Sequence, residues 1–245
     1  PMFMGTASRN ALQTGAVWSE QAQGTNGMGT CLVEKQPLII HQNDHFFTQH
    51  TGLTCSAAPI LDPTGQLVAV LDASSDSSRA QQHTMVLVSM SAQLIEDRLF
   101  LCCMRDNYIL RFHSRREFVS TLGEGAIAFD GDGNIRAANR SALFQLDVPD
   151  IQGLLDRPVE EIFAMRTRDA VENAHLQGGT HRTVHDVSQG RRFYATFQAP
   201  SGGSQGDANR QRPLRRARRT DGGMGSTPVL EGLEFGDTRM RRNIE

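Results

Sequence analysis

The feature that most constrains the fold is a tight turn, Asp62-Pro63-Thr64-Gly65, between two runs of β-forming residues. Cys55 to Leu61 precedes this turn, and Gln66 to Leu71 follows it. Proline presets φ early in such a turn, and glycine accepts the left-handed geometry at its end. The sequence therefore predicts a β-hairpin, and with it an antiparallel sheet, in the first part of the chain.

Residues 79–116 contain neither glycine nor proline and are rich in helix formers, which predicts a long helix. Apolar residues recur there at steps of three and four and continue to Ile109, with Asp106 as the one charged interruption. Such a stripe is typical of a seam between two helices. The seam predicted to pair two subunits consists of Val88, Ala92, Ile95 and Leu99. A helix lying on the sheet of its own domain remains the alternative, because there is a second stripe: Leu87, Leu94 and Leu101.

Residues 117–200 predict a small α+β domain. A Gly-Asp-Gly turn separates two β-forming runs, and Asn139 is well placed to cap the helix that follows. Alternating apolar residues near the end of the region predict two late strands of the same sheet. The predicted elements are a strand–turn–strand unit over 121–139, a helix to Leu146, a short helix over 159–163, and strands over 183–187 and 192–197.

The last part of the chain changes character. Residues 201–229 begin with a Gly/Ser-rich stretch, which predicts a flexible linker. Six arginines cluster between 210 and 219. Such a cluster is either a nucleic-acid patch or a solvated basic linker, and the absence of interleaved aromatic residues favours the linker. Residues 230–245 regain amphipathic spacing, as expected for the start of a further domain.

Composition and motifs narrow the function classes. The formal net charge is −2, so no global field attracts nucleic acid or a membrane. No apolar run is long enough to span a membrane, and the beginning of the sequence does not resemble a signal peptide. The four cysteines have no metal-binding spacing, which indicates reduced thiols and a cytoplasmic location. No serine elbow or placed base is present, so neither a catalytic residue nor a metal ligand is expected.

Several short blocks, in order, carry a family resemblance. They are Trp18-Ser19-Glu20, Gly24-Thr25-Asn26, His45-Phe46 and Thr54-Cys-Ser-Ala-Ala-Pro59. Together they resemble the GAF sensor domain of acetoin-catabolism-regulator-type activators, which work with sigma-54 RNA polymerase. Residues 121–163 resemble the PAS domain that follows in that family. Residues 233–242 resemble the entry to the family's AAA+ ATPase domain.

The resemblance implies an α+β fold class with two sensor domains joined by a long helix. The implied divisions are a partial GAF-like sensor (1–78), a connecting and dimerisation helix (79–116), a PAS-like domain (117–200), a basic linker (201–229) and the start of a truncated AAA+ domain (230–245). The sequence has no phosphate-binding G-x-x-x-x-G-K-[ST] motif. ATP hydrolysis, sigma-54 contact and DNA binding are therefore expected only of missing downstream domains.

The expected function is that of a sensory region which binds a small, acetoin-like alcohol or ketone and controls that downstream machinery. A homodimer is expected, with a higher oligomer for the full-length protein, and no cofactor. A sensor pocket needs apolar walls and a few placed polar groups. The candidate ligand-binding residues are Trp18, Glu20, Thr25, Asn26, His45, Phe46, Cys55 and Ser56.

Other interpretations of the same residues remain open. Trp18 also suits a core position, Thr25 and Asn26 suit a turn, and His45 suits a surface or capping position. Because neighbouring residues of a strand point to opposite faces, Cys55 and Ser56 do not easily line one pocket. At the level of function, the alternatives are a ligand-free GAF–PAS dimerisation scaffold and the input region of a signalling kinase or cyclase.

Overall fold

The computed structural model describes residues 13–76, 82–176 and 181–201. The predicted linker beyond Ser201, with its arginine cluster, and the predicted start of a further domain lie outside the described residues. Within the described ranges, no helix is both long enough and apolar enough to cross a membrane.

The first part of the chain folds into a three-stranded antiparallel sheet with helices packed against it. Its elements in chain order are α1 (Glu20–Gln23), α2 (Gly27–Glu34), β1 (Leu38–His41), β2 (Thr54–Leu61), β3 (Leu67–Ser75) and α3 (Gln82–Cys103). Strand β2 lies between β1 and β3. Helix α2 contacts all three strands, and α3 contacts β2 and β3. Two short 3-10 turns, Gln42–Asp44 and Thr48–His50, lie between β1 and β2.

The predicted β-hairpin is confirmed by the pairing of β2 with β3. One Asp62 carboxylate oxygen accepts hydrogen bonds from the Thr64 backbone N–H (2.9 Å), the Thr64 hydroxyl (2.8 Å) and the Gln66 N–H (2.8 Å). Gly65 has a φ of +82°, the left-handed conformation for which glycine is suited. The turn chemistry that the sequence displays is therefore the chemistry that closes the hairpin.

The long helix is shorter than predicted, because α3 ends at Cys103. The prediction of a helix from 79 to 116 is wrong over its last part, where β4 (Tyr108–His113) begins a second sheet. Asp106 lies in the exposed turn between the two elements. Leu110 and Phe112 are fully buried in β4. Burial of these alternate residues in a strand is therefore preferred to continuing the helical spacing that reaches Ile109.

The seam predicted to pair two subunits instead packs against the chain's own sheet. Val88, Ala92 and Leu99 are 3–6 % exposed, and they form one cluster with Ala58 and Ile60 of β2. Ile95 packs against the same cluster. The prediction is therefore wrong for these four residues, and the alternative of a helix lying on its own sheet is what the structure has. The exposed apolar side chains of α3 are Val86, Leu87, Met90 and Leu94.

The second part of the chain forms a five-stranded antiparallel sheet in the order β6-β5-β4-β8-β7. Its further elements are β5 (Gly125–Phe129), β6 (Ile135–Ala138), α4 (Arg140–Leu146), α5 (Val159–Ile162), α6 (Thr167–His175), β7 (Arg182–His185) and β8 (Arg192–Gln198). The Asn139 side chain caps α4 by accepting a hydrogen bond from the Ala142 N–H at 2.9 Å. The predicted cap, the short helix after Pro158 and the two late strands are confirmed.

Each face of this second sheet is packed. On the inner face, Phe112 meets the rings of Phe163 and Phe193 edge to face, at 5.0 Å and 5.2 Å between centroids. Aromatic rings prefer this edge-to-face arrangement, and the three rings fill the interior between the sheet and the helices. On the outer face, Phe100 from the end of α3 packs with Ile109 of β4 and with three alanines, Ala126, Ala128 and Ala137.

Helix α3 joins the two parts of the molecule through a buried carboxylate. Glu96 is 9 % exposed, and its Oε1 accepts hydrogen bonds from the Leu61 N–H (2.8 Å) and from the Arg140 guanidinium (2.6 Å). Leu61 ends β2 in the first sheet, and Arg140 begins α4 in the second part. Burial raises the pKa of Glu96, whereas the Leu61 N–H and Arg140 act to lower it. One side chain therefore ties the hairpin, the long helix and the second part together.

Replacing Glu96 by alanine is expected to lower the free energy of unfolding by about 1–3 kcal/mol, because the buried Leu61 N–H loses its acceptor. Arg140 stays partly exposed, so the ion pair adds less than this hydrogen bond. Glu96→Gln keeps an acceptor oxygen and should fall between alanine and wild type. Urea denaturation followed by circular dichroism measures the effect. The exposed Glu117→Ala is the control, and an equally small loss for both alanine variants would contradict the role of Glu96.

Candidate functional site

A buried group of polar side chains lies on the α2 face of the first sheet. We call it the cysteine cluster; it consists of Cys55, His45, Asp72 and Ser74. Cys55 of β2 pairs with Ser74 of β3 across the hairpin, and side chains of paired residues share a face. A Cβ on Gly27, at the start of α2, would lie 2.6 Å from both Cys55 Cβ and Asp72 Oδ1. Only glycine lets α2 approach the sheet this closely.

Hydrogen bonds connect the members of the cysteine cluster. Ser74 Oγ lies 2.6 Å from Asp72 Oδ2 and 3.1 Å from Cys55 Sγ. Cys55 Sγ lies 3.5 Å from His45 Nε2. His45 Nδ1 is 3.0 Å from the Gln42 carbonyl oxygen, which can only accept, so Nδ1 carries a proton. In the neutral tautomer that this hydrogen bond selects, His45 Nε2 accepts from the Cys55 thiol.

Burial governs the charge states of the cysteine cluster. Cys55 is 3 % exposed, and burial, together with the negative charge of Asp72, raises the pKa of its thiol to about 11. Burial also raises the pKa of the Asp72 carboxyl, against the lowering effect of the hydrogen bond from Ser74. Within the described residues, Asp72 Oδ1 is buried and has no hydrogen-bond partner. The cluster therefore contains a neutral thiol beside a carboxylate oxygen that lacks a donor.

Aromatic rings border the cysteine cluster. The Trp18 ring lies 5.0 Å from the ring of His50, and the His50 ring lies 6.3 Å from that of His45. His50 is buried and its Nε2 is 3.0 Å from Gln23 Oε1. Burial and the neighbouring His45 lower the pKa of His50, which favours its neutral form. Trp18 therefore lies one ring away from the cysteine cluster, with His50 between them.

Two of the predicted ligand contacts instead hold the local fold together. Asn26 is fully buried and caps α2: its Oδ1 accepts from the Gly29 N–H at 2.8 Å, and its Nδ2 donates to the Gly24 carbonyl at 2.8 Å. The Glu20 carboxylate accepts a hydrogen bond from the Thr30 hydroxyl at 2.6 Å. Both side chains have their hydrogen bonds within the chain. Their roles are therefore structural in this arrangement.

Three more predicted contacts lie away from the cysteine cluster or face the other way. Phe46 is 70 % exposed and contacts Gly24. Thr25 meets the same segment through its backbone carbonyl, which accepts from the Phe46 N–H at 3.3 Å. Ser56 is buried but belongs to the opposite face of β2, the one that carries Ala58 against α3. Of the eight predicted residues, the structure brings together Cys55 and His45, with Trp18 beside them.

Three members of this region, Asp72, Ser74 and His50, were not among the predicted contacts. The hairpin itself carried a usable signal for two of them, because the register of β2 with β3 places Ala57 opposite Asp72 and Cys55 opposite Ser74. His50 has no such signal, since it comes from an irregular segment. Within the described residues, no group of three or more His, Cys, Asp or Glu side chains has metal-binding geometry. The arrangement suits hydrogen bonding to a ligand better than nucleophilic chemistry, because the thiol stays protonated.

Residues 2–99 match the GAF domain family. This stretch contains the first sheet, α1 and α2, and nearly all of α3, and its antiparallel mixed α/β architecture agrees with that assignment. The first part of the chain is therefore GAF-like over the matched stretch, and the cysteine cluster lies inside that stretch.

Named relatives are transcriptional regulators. The chain is 33 % identical over 199 residues to the acetoin catabolism regulatory protein of Cupriavidus necator, which covers 78 % of this chain and 30 % of that protein. It is 31 % identical over 175 residues to the propane 2-monooxygenase operon transcriptional activator MimR of Mycolicibacterium smegmatis (69 % and 28 %). It is 33 % identical over 99 residues to the acetoin dehydrogenase operon transcriptional activator AcoR of Bacillus subtilis (40 % and 16 %). The chain thus spans less than a third of each of these relatives.

A solved structure also aligns with the chain. It is a chain of the crystal structure of the E. coli DhaR(N)–DhaL complex, with a TM-score of 0.37 and 15 % identity over 79 % of this chain and 71 % of that one. The homologous regulators support a regulatory, sensory role for the GAF-like part of the chain.

The raised pKa of Cys55 leads to a test of thiol reactivity. At mildly alkaline pH, the thiolate fraction of Cys55 should be about two orders of magnitude below that of a free cysteine, so iodoacetamide should modify the exposed Cys102 first. Asp72→Asn removes a negative charge and should speed modification of Cys55. Mass spectrometry of timed digests measures both rates. Modification of Cys55 as fast as that of Cys102 would contradict its burial as a neutral thiol.

Proposed function

We propose that this chain is the sensory region of a transcriptional activator, and that its GAF domain binds a small metabolite at the cysteine cluster. The observation that carries the proposal is Asp72 Oδ1, a buried carboxylate oxygen without a hydrogen-bond donor among the described residues. Buried polar atoms in folded proteins nearly always have a partner. A hydroxyl group of a bound effector would supply the missing donor.

The proposed effector is a small, acetoin-like alcohol or ketone. The cysteine cluster combines a carboxylate acceptor with the Ser74 hydroxyl and the Cys55 thiol, next to the rings of Trp18 and His50. A compact ligand with one or two oxygen atoms matches that mixture of few polar groups and apolar walls. Two of the relatives are named for acetoin metabolism and one for a propane 2-monooxygenase operon. These names support small oxygenated or hydrocarbon-derived effectors as the class to test.

We propose that the second part of the chain is a PAS domain that receives the signal through α3. The five-stranded antiparallel sheet, with α4–α6 inserted between β6 and β7, supports this assignment. Helix α3 packs on β2 on one side and on the outer face of the second sheet at its end. A shift of β2 when the cysteine cluster binds its effector would therefore move α3 against the second sheet.

The output of the sensor is proposed to lie elsewhere in a longer protein. Because the relatives are more than three times the length of the aligned region, they have room for further domains. We propose that a downstream AAA+ ATPase and a DNA-binding domain act with sigma-54 RNA polymerase. In this proposal the chain itself is a cytoplasmic sensor without catalytic activity.

We propose that two copies of the chain pair through the exposed stripe of α3, made of Leu87, Met90 and Leu94. These side chains are 48–64 % exposed, and their steps of three and four are the spacing of a helix-pairing seam. A second copy presents the same stripe, so pairing of two copies about a twofold axis buries both stripes at once. The dimer contact thus moves from the predicted seam to the opposite face of the same helix.

A binding scan tests the effector proposal. Calorimetric titration of the chain with small alcohols, ketones and diols should find at least one ligand that binds saturably. Asp72→Asn should weaken that ligand about tenfold, the loss expected when a hydrogen bond to a charged group is removed. Asp76→Asn, at an exposed position just beyond β3, is the matched control. Failure of every compound to bind would instead favour a ligand-free scaffold.

Sedimentation of charged variants tests the pairing proposal. The double change Leu87→Glu and Leu94→Glu should convert a dimer to a monomer, because four like charges would meet in the seam. Val33→Glu places a charge on another exposed apolar residue, 62 % exposed on α2, and should leave the dimer intact. A double variant that sediments like the wild type would exclude this face as the contact.

A further inference from the structure

A second cleft lies where α3 meets the outer face of the second sheet, away from the cysteine cluster. We call it the junction cleft, and its volume is about 410 Å³. That volume is within the range of small-molecule sites. Its apolar walls are Phe100, Leu101 and Leu122, and its polar residues are Asp97, Arg111, Glu124 and Asn139. Apolar walls with a few convergent polar groups are the usual composition of a ligand site.

Arg111 is the least satisfied of these polar residues. Its Nη2 donates to Gln198 Oε1 at 3.2 Å, and its Nη1 lies 3.5 Å from Glu124 Oε1. Its Nε is buried and has no partner within the described residues. A guanidinium has five N–H donors in a planar fork, and the Arg111 side chain is only 22 % exposed. This arginine therefore has unused donors in a site with limited access to water.

Two carboxylates face the same cleft as Arg111. Asp97 Oδ1 accepts a hydrogen bond from Asn139 Nδ2 at 3.1 Å, and Glu124 Oε2 accepts one from the Ser120 N–H at 2.6 Å. Burial raises the pKa of both carboxyl groups, against the lowering effect of the Arg111 charge on each. An ionised carboxylate has about four acceptor positions, so each has capacity left. The junction cleft thus combines one cationic donor group with two acidic acceptors.

We propose that the junction cleft binds a zwitterionic ligand of the amino-acid class. The ligand carboxylate matches the planar fork of Arg111, a pairing that favours two parallel hydrogen bonds. The ligand ammonium matches Asp97 and Glu124, and an aliphatic side chain matches the walls formed by Phe100, Leu101 and Leu122. Arg111 and Glu124 already form an ion pair at 3.5 Å, so a zwitterion can add a charge-assisted hydrogen bond at each end of this pair, whereas a ligand with a single charge adds one at only one end.

The position of the junction cleft gives such a ligand a regulatory consequence. Asp97 and Leu101 belong to α3, whereas Arg111 and Glu124 belong to the second part of the chain. A ligand that bridges them would stabilise one arrangement of helix and sheet over others. This second input is independent of the proposed effector at the cysteine cluster, which uses other residues and another class of ligand.

The experiment is calorimetric titration of the chain with the proteinogenic amino acids, followed by analogues of any that bind. Leucine has two matched analogues, isocaproate, which lacks the amine, and isoamylamine, which lacks the carboxylate. The expected result is saturable binding of at least one amino acid, with about tenfold or greater loss for each corresponding analogue, because each lacks one charge-assisted interaction. No binding by any amino acid, or analogues that bind equally well, would overturn the proposal.

Two variants place the binding in the junction cleft. Arg111→Gln should weaken the amino acid about tenfold or more, whereas Arg192→Gln, an exposed arginine stacked on Tyr194 of the same sheet, should leave binding unchanged. Leu122 is 41 % exposed, so Leu122→Trp should fill the cleft with little cost to the fold and also weaken binding. If circular dichroism shows that Arg111→Gln is misfolded, the affinity of Leu122→Trp decides whether the amino acid binds in the junction cleft. Unchanged affinity in a folded cleft variant would overturn the site.

Discussion

The structure depends on one helix that packs against two sheets. Helix α3 places Val88, Ala92 and Leu99 on β2, and its last turns place Phe100 on the second sheet. Apolar burial on both sides supplies most of the energy that holds the two parts together. Apolar burial does not fix the orientation of α3. Glu96 does, because its hydrogen bonds with Leu61 and Arg140 hold the helix in place relative to each part. A change in either sheet therefore has a short physical path to the other.

One candidate binding site lies at the contact between α3 and the second sheet, and the other lies on the side of the first sheet that faces away from α3. The cysteine cluster is on the far face of the first sheet, so its influence on α3 must pass through β2. The junction cleft is formed directly by α3 and the second sheet. Both sites contain a buried atom without a hydrogen-bond partner in the described part of the chain, namely Asp72 Oδ1 and Arg111 Nε. Incomplete satisfaction of buried polar atoms is costly in a fold, and ligand binding is one way to offset it.

Much of the local structure could be predicted from the sequence, because its causes are local. The turn at Asp62 to Gly65 and the Asn139 cap each depend on residues within a few positions of one another, and both are present as predicted. The end of α3 was not predictable from periodicity, since Ile109 continues the helical stripe although in β4 it lies on the opposite face from Leu110 and Phe112. Tertiary burial of Leu110 and Phe112 decided between them.

The candidate site shows the same division between local and long-range causes. Cys55, His45 and Trp18 were three of the eight candidate ligand contacts that the resemblance to a sensor family offered. Asn26 was assigned to the ligand, but its side chain is used up by its own helix cap. Asp72 and Ser74 join the cluster only through the pairing of β2 with β3. The sequence did not show which face of α3 is buried, because the helix has two apolar stripes. Only the packing against the sheet identifies the buried one.

The central claim is that ligand binding in the GAF domain is transmitted through α3 to the second part of the chain. Amide hydrogen exchange, with and without an effector found in the binding scan, tests it most directly. The account predicts changed protection in residues 13–76 and also in β5, β6 and α4, with the second set of changes lost in Glu96→Ala. Changes confined to residues 13–76 in the wild type would contradict transmission through the helix.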